Sequence, residues 1–412
     1  MKFVSTRNSK KYFTVFEAIH QGLAPDSGLF VPQAFPEIKV KHQKNISKFG
    51  ADFLEPFFLQ NLKSITKKAF NFKIPLHQLK NGPTVLELFH GPTSAFKDFA
   101  ARFLAEFAIA NQKTNQIKTV LVATSGDTGG AVAAAFYKKR NFRVVILFPK
   151  GKISKRQEKQ LTAFGENIHA IAVKGTFDDC QRIVKRSFQD HRFRKYGLIS
   201  ANSINIARIL PQAVYYAHTS LQVPRYDFII PTGNLGNALA CLWAKKMGYP
   251  IGKVIFACNE NKSLLTFSKT AKFKPMKTVH TLANAMDVGA PSNFERLQAL
   301  YPNFKNFQKE IEVFSVSDAQ IKATIKSVYK KLKYIICPHT ATAFFVHQRR
   351  KNKKAVIVST AHPAKFESIV EPLIGEKIKI PKQLKKILMR KSHYQTINPS
   401  LAEFHTNLKK IK

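Results

Sequence analysis

One lysine of this chain lies where a loop gives way to a helix. Gly91 and Pro92 predict a turn, and from Phe99 onward apolar residues recur at helical spacing. Lys97 therefore falls in the first turn of an apolar-faced helix, where the helix dipole disfavours a cation. We expect a lowered pKa for this amine, which would make it available as a nucleophile or a base. Taken alone, the segment is more typical of a surface lysine, and the rest of the chain decides between the two.

Three later loops have the composition of ligand-binding turns. They are residues 123–130, 231–237 and 359–366, which follow the strand-like runs 119–122, 227–230 and 355–358. The first two precede small-residue helical runs, so their backbone N–H groups should form anion sites at helix N-termini. The second loop fits neither the dinucleotide fingerprint nor the P-loop. Because open α/β sheets bind ligands at the carboxyl ends of their strands, the three loops predict one shared site.

Strands and helices alternate from about residue 80, which predicts the α/β class with two doubly wound, mainly parallel sheet lobes. Proline-punctuated turns and short helical runs before that point predict an N-terminal extension lobe. The expected division is 1–79 for this N-terminal lobe, 80–110 with 211–375 for a larger lobe, 111–210 for a smaller lobe, and 376–412 for a basic, mostly helical tail. We expect the site to lie between the larger and smaller lobes.

The other residues with reactive side chains support fewer roles. The four cysteines show no CxxC spacing, so we expect buried, reduced thiols and no metal site. No G-x-S-x-G elbow indicates a serine hydrolase. Asp178 and Asp179 fit a solvated helix start better than a catalytic carboxylate pair. His90, His339 and His362 lie near loop signals, where packing roles are at least as compatible with the sequence.

Nine collinear segments resemble the threonine synthase family, pyridoxal-phosphate (PLP) enzymes of the tryptophan-synthase-β-like fold type II. The segments are STRN (5–8), GLAPDSGLFVP (22–32), ELFHGPTSAFKDF (87–99), ATSGDTGGAVAAAFY (123–137), FPKGKIS (148–154), SANSINIARIL (200–210), PTGNLGN (231–237), NAMDVGAPSNFER (284–296) and TAHPAKF (360–366). They span nearly the whole chain. Such collinear agreement is more specific than any single motif.

The resemblance implies a role for each matching residue. It implies that Lys97 holds PLP as a Schiff base, and that Thr360 meets the pyridine nitrogen and leaves the ring less protonated than a carboxylate would. The loop expected around the cofactor phosphate, within the larger lobe, consists of Gly233, Asn234, Leu235, Gly236 and Asn237. The loop expected to grip the substrate carboxylate consists of Ser125, Gly126, Asp127 and Thr128. The residues expected at the substrate phosphate are Lys152, Ser154, Asn202, Ser203, Asn205 and Arg208.

Three positions depart from the family's usual letters. Leu235 stands where phenylalanine is common, Asn237 where aspartate is common, and Asn8 where glycine is common. Leucine keeps an apolar contact, asparagine removes a negative charge beside a phosphate, and Asn8 tolerates a left-handed backbone. None of these changes involves Lys97.

The implied reaction converts O-phospho-L-homoserine and water into L-threonine and phosphate, which is the last step of threonine biosynthesis. The resemblance thus implies a PLP-dependent carbon–oxygen lyase. Lys97 would act as the general base at the α- and then the β-carbon. Two alternatives stay open. One is a PLP-dependent phospholyase or dehydratase that releases 2-oxobutyrate, because the outcome depends on where one water is held. The other is a basic nucleic-acid-binding protein on an enzyme scaffold.

The formal net charge of +42 is the unusual feature of the composition. The basic residues are spread along the chain and form no single basic helix or aromatic RNA-binding strand, so we expect no specific nucleic-acid partner. No apolar run reaches transmembrane length, and no signal-peptide core opens the chain. We therefore expect a cytoplasmic enzyme without membrane contact, as a monomer or a homodimer, with a small-molecule substrate.

Overall fold

The computed structural model describes residues 1–37, 41, 43–112 and 114–411. Its strands are β1 (Phe3–Ser5), β2 (Phe30–Pro32), β3 (Leu76–Gln78), β4 (Thr84–Glu87), β5 (Lys118–Ala123), β6 (Phe142–Pro149), β7 (Ile168–Val173), β8 (Leu198–Ser200), β9 (Asp227–Pro231), β10 (Val254–Cys258), β11 (Ile311–Ser315), β12 (Ala355–Ser359) and β13 (Gln395–Ile397). Its α-helices are α1 (Val15–Gln21), α2 (Ile46–Phe58), α3 (Lys63–Ala69), α4 (Lys97–Ala110), α5 (Asp127–Phe136), α6 (Lys155–Thr162), α7 (Phe177–Gln189), α8 (Leu210–Ser220), α9 (Gly236–Lys246), α10 (Ser263–Thr270), α11 (Phe294–Leu300), α12 (Phe304–Glu310), α13 (Asp318–Leu332), α14 (Pro338–Arg349), α15 (Glu367–Ile374), α16 (Lys382–Leu388) and α17 (Leu401–Lys410). Short 3₁₀ helices span His191–Tyr196, Ile206–Arg208, Asn284–Met286 and Pro363–Phe366.

The larger of the two main sheets has the strand order β11-β10-β9-β12-β4-β3. Its neighbouring strands run parallel except for the antiparallel edge pair of β3 and β4. Strand β12 lies between β9 and β4, with Val356 opposite both Phe228 and Thr84. The carboxyl ends of these three strands therefore lie side by side, and the loops that follow them meet at one edge of the sheet.

The second main sheet has the strand order β13-β7-β6-β5-β8, and all of its strands run parallel. Residues 120–123 of β5 and 144–149 of β6 are buried without alternation, as expected for strands with helices on both faces. The prediction of two mainly parallel lobes is thereby confirmed. No helix in the described part of the chain is long and apolar enough to span a bilayer.

The C-terminal segment is integrated into the second sheet. Strand β13, which lies within the predicted basic tail, pairs in parallel with β7. Helix α17 packs on α7, and its residues Phe404 and Leu408 are buried in one cluster with Phe193 and Ile397. This segment therefore helps to build the smaller lobe. Lys412, the last residue of the predicted tail, lies outside the described residues, and the other predicted boundaries stay predictions.

The N-terminal segment embraces the larger lobe. Strands β1 and β2 form an antiparallel ribbon, with Phe3 opposite Pro32. Helix α2 packs on α8, and α3 packs on α4. Phe49 and Phe53 of α2 are fully buried in the main core cluster. The expected N-terminal extension is therefore present, and it packs directly on the helix that begins at Lys97.

Arg296 joins this N-terminal segment to the centre of the molecule. Its side chain is fully buried, and burial lowers the pKa of Arg296 to about 9. Its guanidinium donates to the carbonyl oxygens of Phe30 at 3.0 Å, Ser203 at 2.8 Å and Ile204 at 2.7 Å. One cation thus satisfies three buried carbonyls from segments far apart in the chain.

Replacing Arg296 with methionine removes all of these donors, so the carbonyl oxygens of Phe30, Ser203 and Ile204 lose the hydrogen bonds that Arg296 gives them. We expect the free energy of unfolding to fall by about 3 kcal/mol, because unsatisfied buried polar groups retain their full desolvation cost. Urea denaturation followed by far-ultraviolet circular dichroism measures this loss.

Arg7→Met is the control, because Arg7 forms an exposed ion pair with Glu295 at 2.5 Å. Exposed pairs contribute at most about 1 kcal/mol, so this variant should lose little stability. Equal losses in both variants would contradict the structural role assigned to Arg296.

Candidate active site

Lys97 is positioned by a short antiparallel contact between two loops. Ala95 and Ala361 form an isolated β-bridge, and the backbone N–H of Phe96 donates to the carbonyl oxygen of Thr360 at 2.8 Å. These loops follow the adjacent strands β4 and β12. Lys97 is the first residue of α4, as its loop-to-helix position predicts. The contact therefore places Lys97 and Thr360 on the same wall of the site.

The turn before Lys97 is held by the next residue, Asp98. This buried carboxylate accepts hydrogen bonds from the backbone N–H of Thr93 at 2.9 Å and from its hydroxyl at 2.7 Å. A Cβ atom at Gly91 would lie 2.4 Å from Asp98 Oδ2. Glycine is therefore required at position 91 for the carboxylate to close the turn.

The amine of Lys97 is set up to lose its proton easily. Burial lowers its pKa to about 8, the neighbouring cations Arg208 and Lys365 act in the same direction, and Asp127 opposes them. The side chain as a whole stays partly exposed because it lines the central cavity. The predicted lowering of the pKa is confirmed, with burial as its main cause.

The loop between β9 and α9 forms a close-fitting cradle. A Cβ atom at Gly233 would lie 2.6 Å from the Cα atom of Met286, so only glycine fits there. Leu235 has φ 64°, and this left-handed turn brings the chain into α9 at Gly236. This geometry is suited to the predicted anion site, because backbone N–H groups are free at the start of a helix.

Two side chains stiffen this cradle. Asn237 Oδ1 accepts hydrogen bonds from the buried hydroxyls of Tyr215 at 2.6 Å and Tyr216 at 2.9 Å. Its Nδ2 is buried and has no partner among the described residues. Asn234 donates from Nδ2 to Ser203 Oγ at 3.0 Å. Asn237 lines the cavity and therefore brings one unpaired side-chain donor to its wall.

The loop between β5 and α5 is organised by Thr124. Its hydroxyl oxygen accepts from the backbone N–H groups of Gly126 at 2.9 Å and Gly129 at 3.0 Å. Gly126 has φ 137°, which glycine alone adopts without strain. The loop thus presents Ser125 and Thr128 to the cavity at the N-terminus of α5.

These loops line one cavity between the two main sheets, and its empty space of about 1200 Å³ includes solvent at its opening. Most predicted site residues line it. Those on its wall are Lys97, Ser125, Asp127, Thr128, Asn202, Ser203, Arg208, Gly233, Asn234, Leu235, Gly236, Asn237 and Thr360. The structure therefore brings together segments that lie far apart in the sequence.

Four predicted residues lie off this wall. Gly126 shapes its loop, and Lys152 is exposed to solvent. Ser154 caps α6 and donates from its hydroxyl to the carbonyl oxygen of Lys365 at 3.2 Å. Asn205 is fully buried and donates to the carbonyl oxygens of Ile19 and Ser200 at 2.8 and 2.9 Å. The positions of Gly126, Ser154 and Asn205 favour structural roles, whereas Lys152 has no such contact through its side chain among the hydrogen bonds of the described residues.

Arg208 is the buried cation of the cavity wall. It donates to the carbonyl oxygen of Ala201 at 2.5 Å, while its Nε is buried without a partner among the described residues. Burial lowers the pKa of Arg208 to about 10, and Asp98 acts against this shift. A buried guanidinium with a spare donor is suited to a bound anion.

Sequence reasoning missed two residues at the cavity mouth and did not give His339 a site role. Gln181 and Lys185 line the cavity from one face of α7, and their spacing of four residues is the signal that indicates a shared face.

His339 has a buried side chain on the cavity wall. Its Nε2 accepts a hydrogen bond from the backbone N–H of Ala285 at 3.1 Å. The ring proton therefore lies on Nδ1, which has no partner in the described structure, and burial lowers the pKa of His339 to about 4.

These features fit a phosphorylated aldehyde cofactor. The Lys97 amine suits an aldehyde carbon, and the Gly233 cradle with its helix N-terminus suits a phosphate. The unpaired donors on Asn237 and Arg208 indicate that further acceptors belong in the cavity.

Comparison with known proteins agrees with this chemistry. The family described as "Pyridoxal-phosphate dependent enzyme" matches residues 75–360, "Threonine synthase N terminus" matches residues 2–70, and "Threonine synthase, C-terminal" matches residues 339–406.

Several similar proteins are threonine synthases. Threonine synthase of Buchnera aphidicola subsp. Acyrthosiphon pisum is 38% identical over 99% of each chain, and that of Escherichia coli is 38% identical over 93% of this chain and 94% of its own. The crystal structure of the Escherichia coli enzyme aligns over 100% of both chains with a TM-score of 0.93 and 34% identity. A PLP-bound threonine synthase from Brucella melitensis aligns over 99% of both chains with a TM-score of 0.90 and 32% identity. The chain therefore belongs to the threonine synthase family of pyridoxal-phosphate-dependent enzymes.

Proposed function

We propose that this enzyme converts O-phospho-L-homoserine and water into L-threonine and phosphate, with Lys97 as the catalytic residue. The observation that carries the proposal is the position of the Lys97 amine. It lies in one cavity with a helix N-terminus suited to a carboxylate, a buried guanidinium suited to a phosphate, and the glycine cradle.

The residues that would hold the cofactor come from three segments that are far apart in the sequence. Lys97 would hold its aldehyde carbon, the backbone of Gly233 to Asn237 its phosphate, and Thr360 its ring nitrogen. When bound, PLP supplies an electron sink that stabilises negative charge on the substrate carbons.

Lys97 moves the protons in this proposal. Because its pKa lies near 8, a substantial fraction of the amine is neutral at moderately alkaline pH and can accept the proton from the α-carbon and later from the β-carbon. The β-bridge between Ala95 and Ala361 fixes the base against the cofactor wall. The cavity lies between two lobes, which supports exclusion of bulk water until hydration at the β-carbon.

The substrate would be held at both of its anionic ends. Ser125 and Thr128, with the first N–H groups of α5, suit its carboxylate. We place the phosphate near Arg208, with Asn202 and Ser203 beside it on the wall, because a buried guanidinium gives strong charge-assisted hydrogen bonds. We do not place it at the off-wall predictions, which are Lys152, Ser154 and Asn205.

We also propose a cytoplasmic enzyme without a specific nucleic-acid partner. The cysteines Cys180, Cys241, Cys258 and Cys337 are all free and buried, and burial raises the pKa of Cys258 to about 12. Inert, unpaired thiols support a reducing compartment.

Replacing Lys97 with alanine should abolish both turnover and the visible absorption of bound cofactor, because the same amine holds PLP and moves the protons. We expect kcat to fall about 10⁴-fold. The assay measures threonine and 2-oxobutyrate together, so that the wild-type product also separates the synthase from the phospholyase alternative.

Lys138→Ala is the control for this variant, because Lys138 is exposed and pairs with Glu166 at 3.5 Å outside the cavity. It should keep wild-type turnover and absorption. Threonine formation by Lys97→Ala at a rate near that of the wild type would refute the assignment, and 2-oxobutyrate as the main wild-type product would refute the proposed reaction.

Cofactor uptake by the apoenzyme should depend on pH through the same amine. Only neutral Lys97 condenses with the aldehyde, so the rate should rise with pH through about 8 and level off above it. An unperturbed lysine has a pKa near ~10.4, and its uptake would keep rising beyond pH 10. Stopped-flow absorbance distinguishes the two profiles, with Lys97→Ala as the background.

Arg208→Gln should lower kcat/KM for O-phosphohomoserine about 100-fold, because a buried charge-assisted contact is lost. It should weaken competitive inhibition by inorganic phosphate in parallel. Lys152→Gln should change both by less than about threefold, because exposed charges contribute little. If steady-state kinetics show a larger loss of kcat/KM in Lys152→Gln than in Arg208→Gln, the substrate phosphate is bound near Lys152 instead.

A further inference from the structure

Lys365 joins three functional segments although its side chain never reaches the cavity wall. It is fully buried in the 3₁₀ helix Pro363–Phe366, which follows Thr360. Its ammonium lies 2.8 Å from Asp127 Oδ1 and donates to the carbonyl oxygen of Thr93 at 2.9 Å. One cation therefore contacts the turn before Lys97 and the loop proposed for the substrate carboxylate.

Residues at the start of α6, in the smaller lobe, contact the segment that carries Lys365. Ser154 donates from its hydroxyl to the carbonyl oxygen of Lys365 at 3.2 Å, and Arg156 pairs with Glu367 at 3.1 Å. Gln157 of the same helix α6 donates to Asp127 Oδ1 at 3.1 Å. Lys365 is thus fixed at the junction of the two lobes, with Asp127 as its partner across that junction.

Asp127 poses an electrostatic problem that this ion pair solves. A carboxylate inside a loop that binds another carboxylate would repel the substrate. Burial acts to raise the pKa of Asp127, but Lys365 and then Lys97 hold it well below its usual range, so it is ionised. Asp127 also faces His339, whose pKa is lowered by burial, so at neutral pH the imidazole supplies no positive charge. Lys365 is therefore the cation that directly pairs with Asp127.

The same pair acts on Lys97. The charged groups that face the Lys97 amine are Asp127, which favours its protonated form, and Arg208 and Lys365, which disfavour it; the neutral imidazole of His339 lies beside them. Removing the Lys365 charge would leave Asp127 uncompensated, and protonation of Lys97 would become easier.

We propose that Lys365 is a positioning residue whose buried ion pair with Asp127 cancels a negative charge beside the substrate carboxylate and disfavours protonation of Lys97. This inference rests on the proposed function, because it assigns Lys365 an effect on substrate binding and on the base. Lys365 contacts neither substrate nor cofactor and acts through Asp127.

The test compares Lys365→Met, Asp127→Asn and the double variant as cofactor-loaded enzymes. Two quantities are measured: KM for O-phosphohomoserine, and the pH midpoint of the visible absorption change of the enzyme without substrate. Lys365→Met should raise KM about tenfold or more and shift the midpoint upward by about one pH unit. Asp127→Asn should shift the midpoint downward, because the group that favours protonation is lost.

The double variant should bring KM and the midpoint back toward wild-type values, since neither charge is left unpaired. Thermal melting should fall by roughly 5–10 °C in Lys365→Met and recover partly in the double variant. Lys377→Met is the matched control. The Lys377 ammonium also pairs with a carboxylate, Glu371, at 3.1 Å, but its side chain is 94% exposed. It should change none of these quantities.

A fall in melting temperature without any shift in KM or in the absorption midpoint would overturn the proposal and reduce Lys365 to a structural residue. If Lys365→Met fails to fold, Asp127→Asn decides alone, because an unchanged or raised midpoint contradicts the proposal. A wild-type enzyme that forms no threonine would refute the proposed function instead, before any variant is compared.

Discussion

The antiparallel contact between the loops after β4 and β12 is the constraint on which the site depends. The bridge from Ala95 to Ala361, with the hydrogen bond from Phe96 to Thr360, sets the position of Lys97 relative to the cofactor wall. It exists because β4 and β12 are neighbours in a parallel sheet, whose strands all release their loops at the same edge. A lysine whose backbone is held by hydrogen bonds at a sheet edge loses little conformational freedom on binding a ligand.

Around this base the site is an arrangement of buried charges. Lys97, Arg208 and Asp127 lie on the wall, while Lys365 lies behind it and pairs with Asp127. The charges of Asp127, Arg208 and Lys365 shift the pKa of Lys97, and those of Lys365 and Lys97 shift the pKa of Asp127. Burial makes these shifts larger than they would be in water. The chemistry proposed for Lys97 therefore depends on residues that never contact the substrate.

The two main sheets supply different parts of the site. The larger sheet supplies Lys97, Thr360 and the glycine cradle, and the smaller sheet supplies the helix N-terminus of α5. Contacts of α6 and its N-cap Ser154 with the segment after Thr360 join the two lobes. The site is thus complete only where both lobes meet, which is the usual place for a cavity that must open to admit substrate and close for reaction.

The sequence determined the local features of this protein. The glycine-punctuated turn and the 3.6-residue apolar period located Lys97 at the start of α4, and the β-branched runs located β5, β9 and β12 with their loops. These signals are short-range, because turns, helix starts and buried strands each depend on a few adjacent residues.

Only the tertiary structure decided which of those residues meet. It placed β13 in the smaller sheet, and it left Lys152 in solvent and Asn205 in the core, although the family resemblance implied that both hold the substrate phosphate. It also paired Lys365 with Asp127. Such pairings depend on how two lobes pack, and the physical reason they escape sequence reasoning is that no local periodicity encodes a contact between residues hundreds of positions apart.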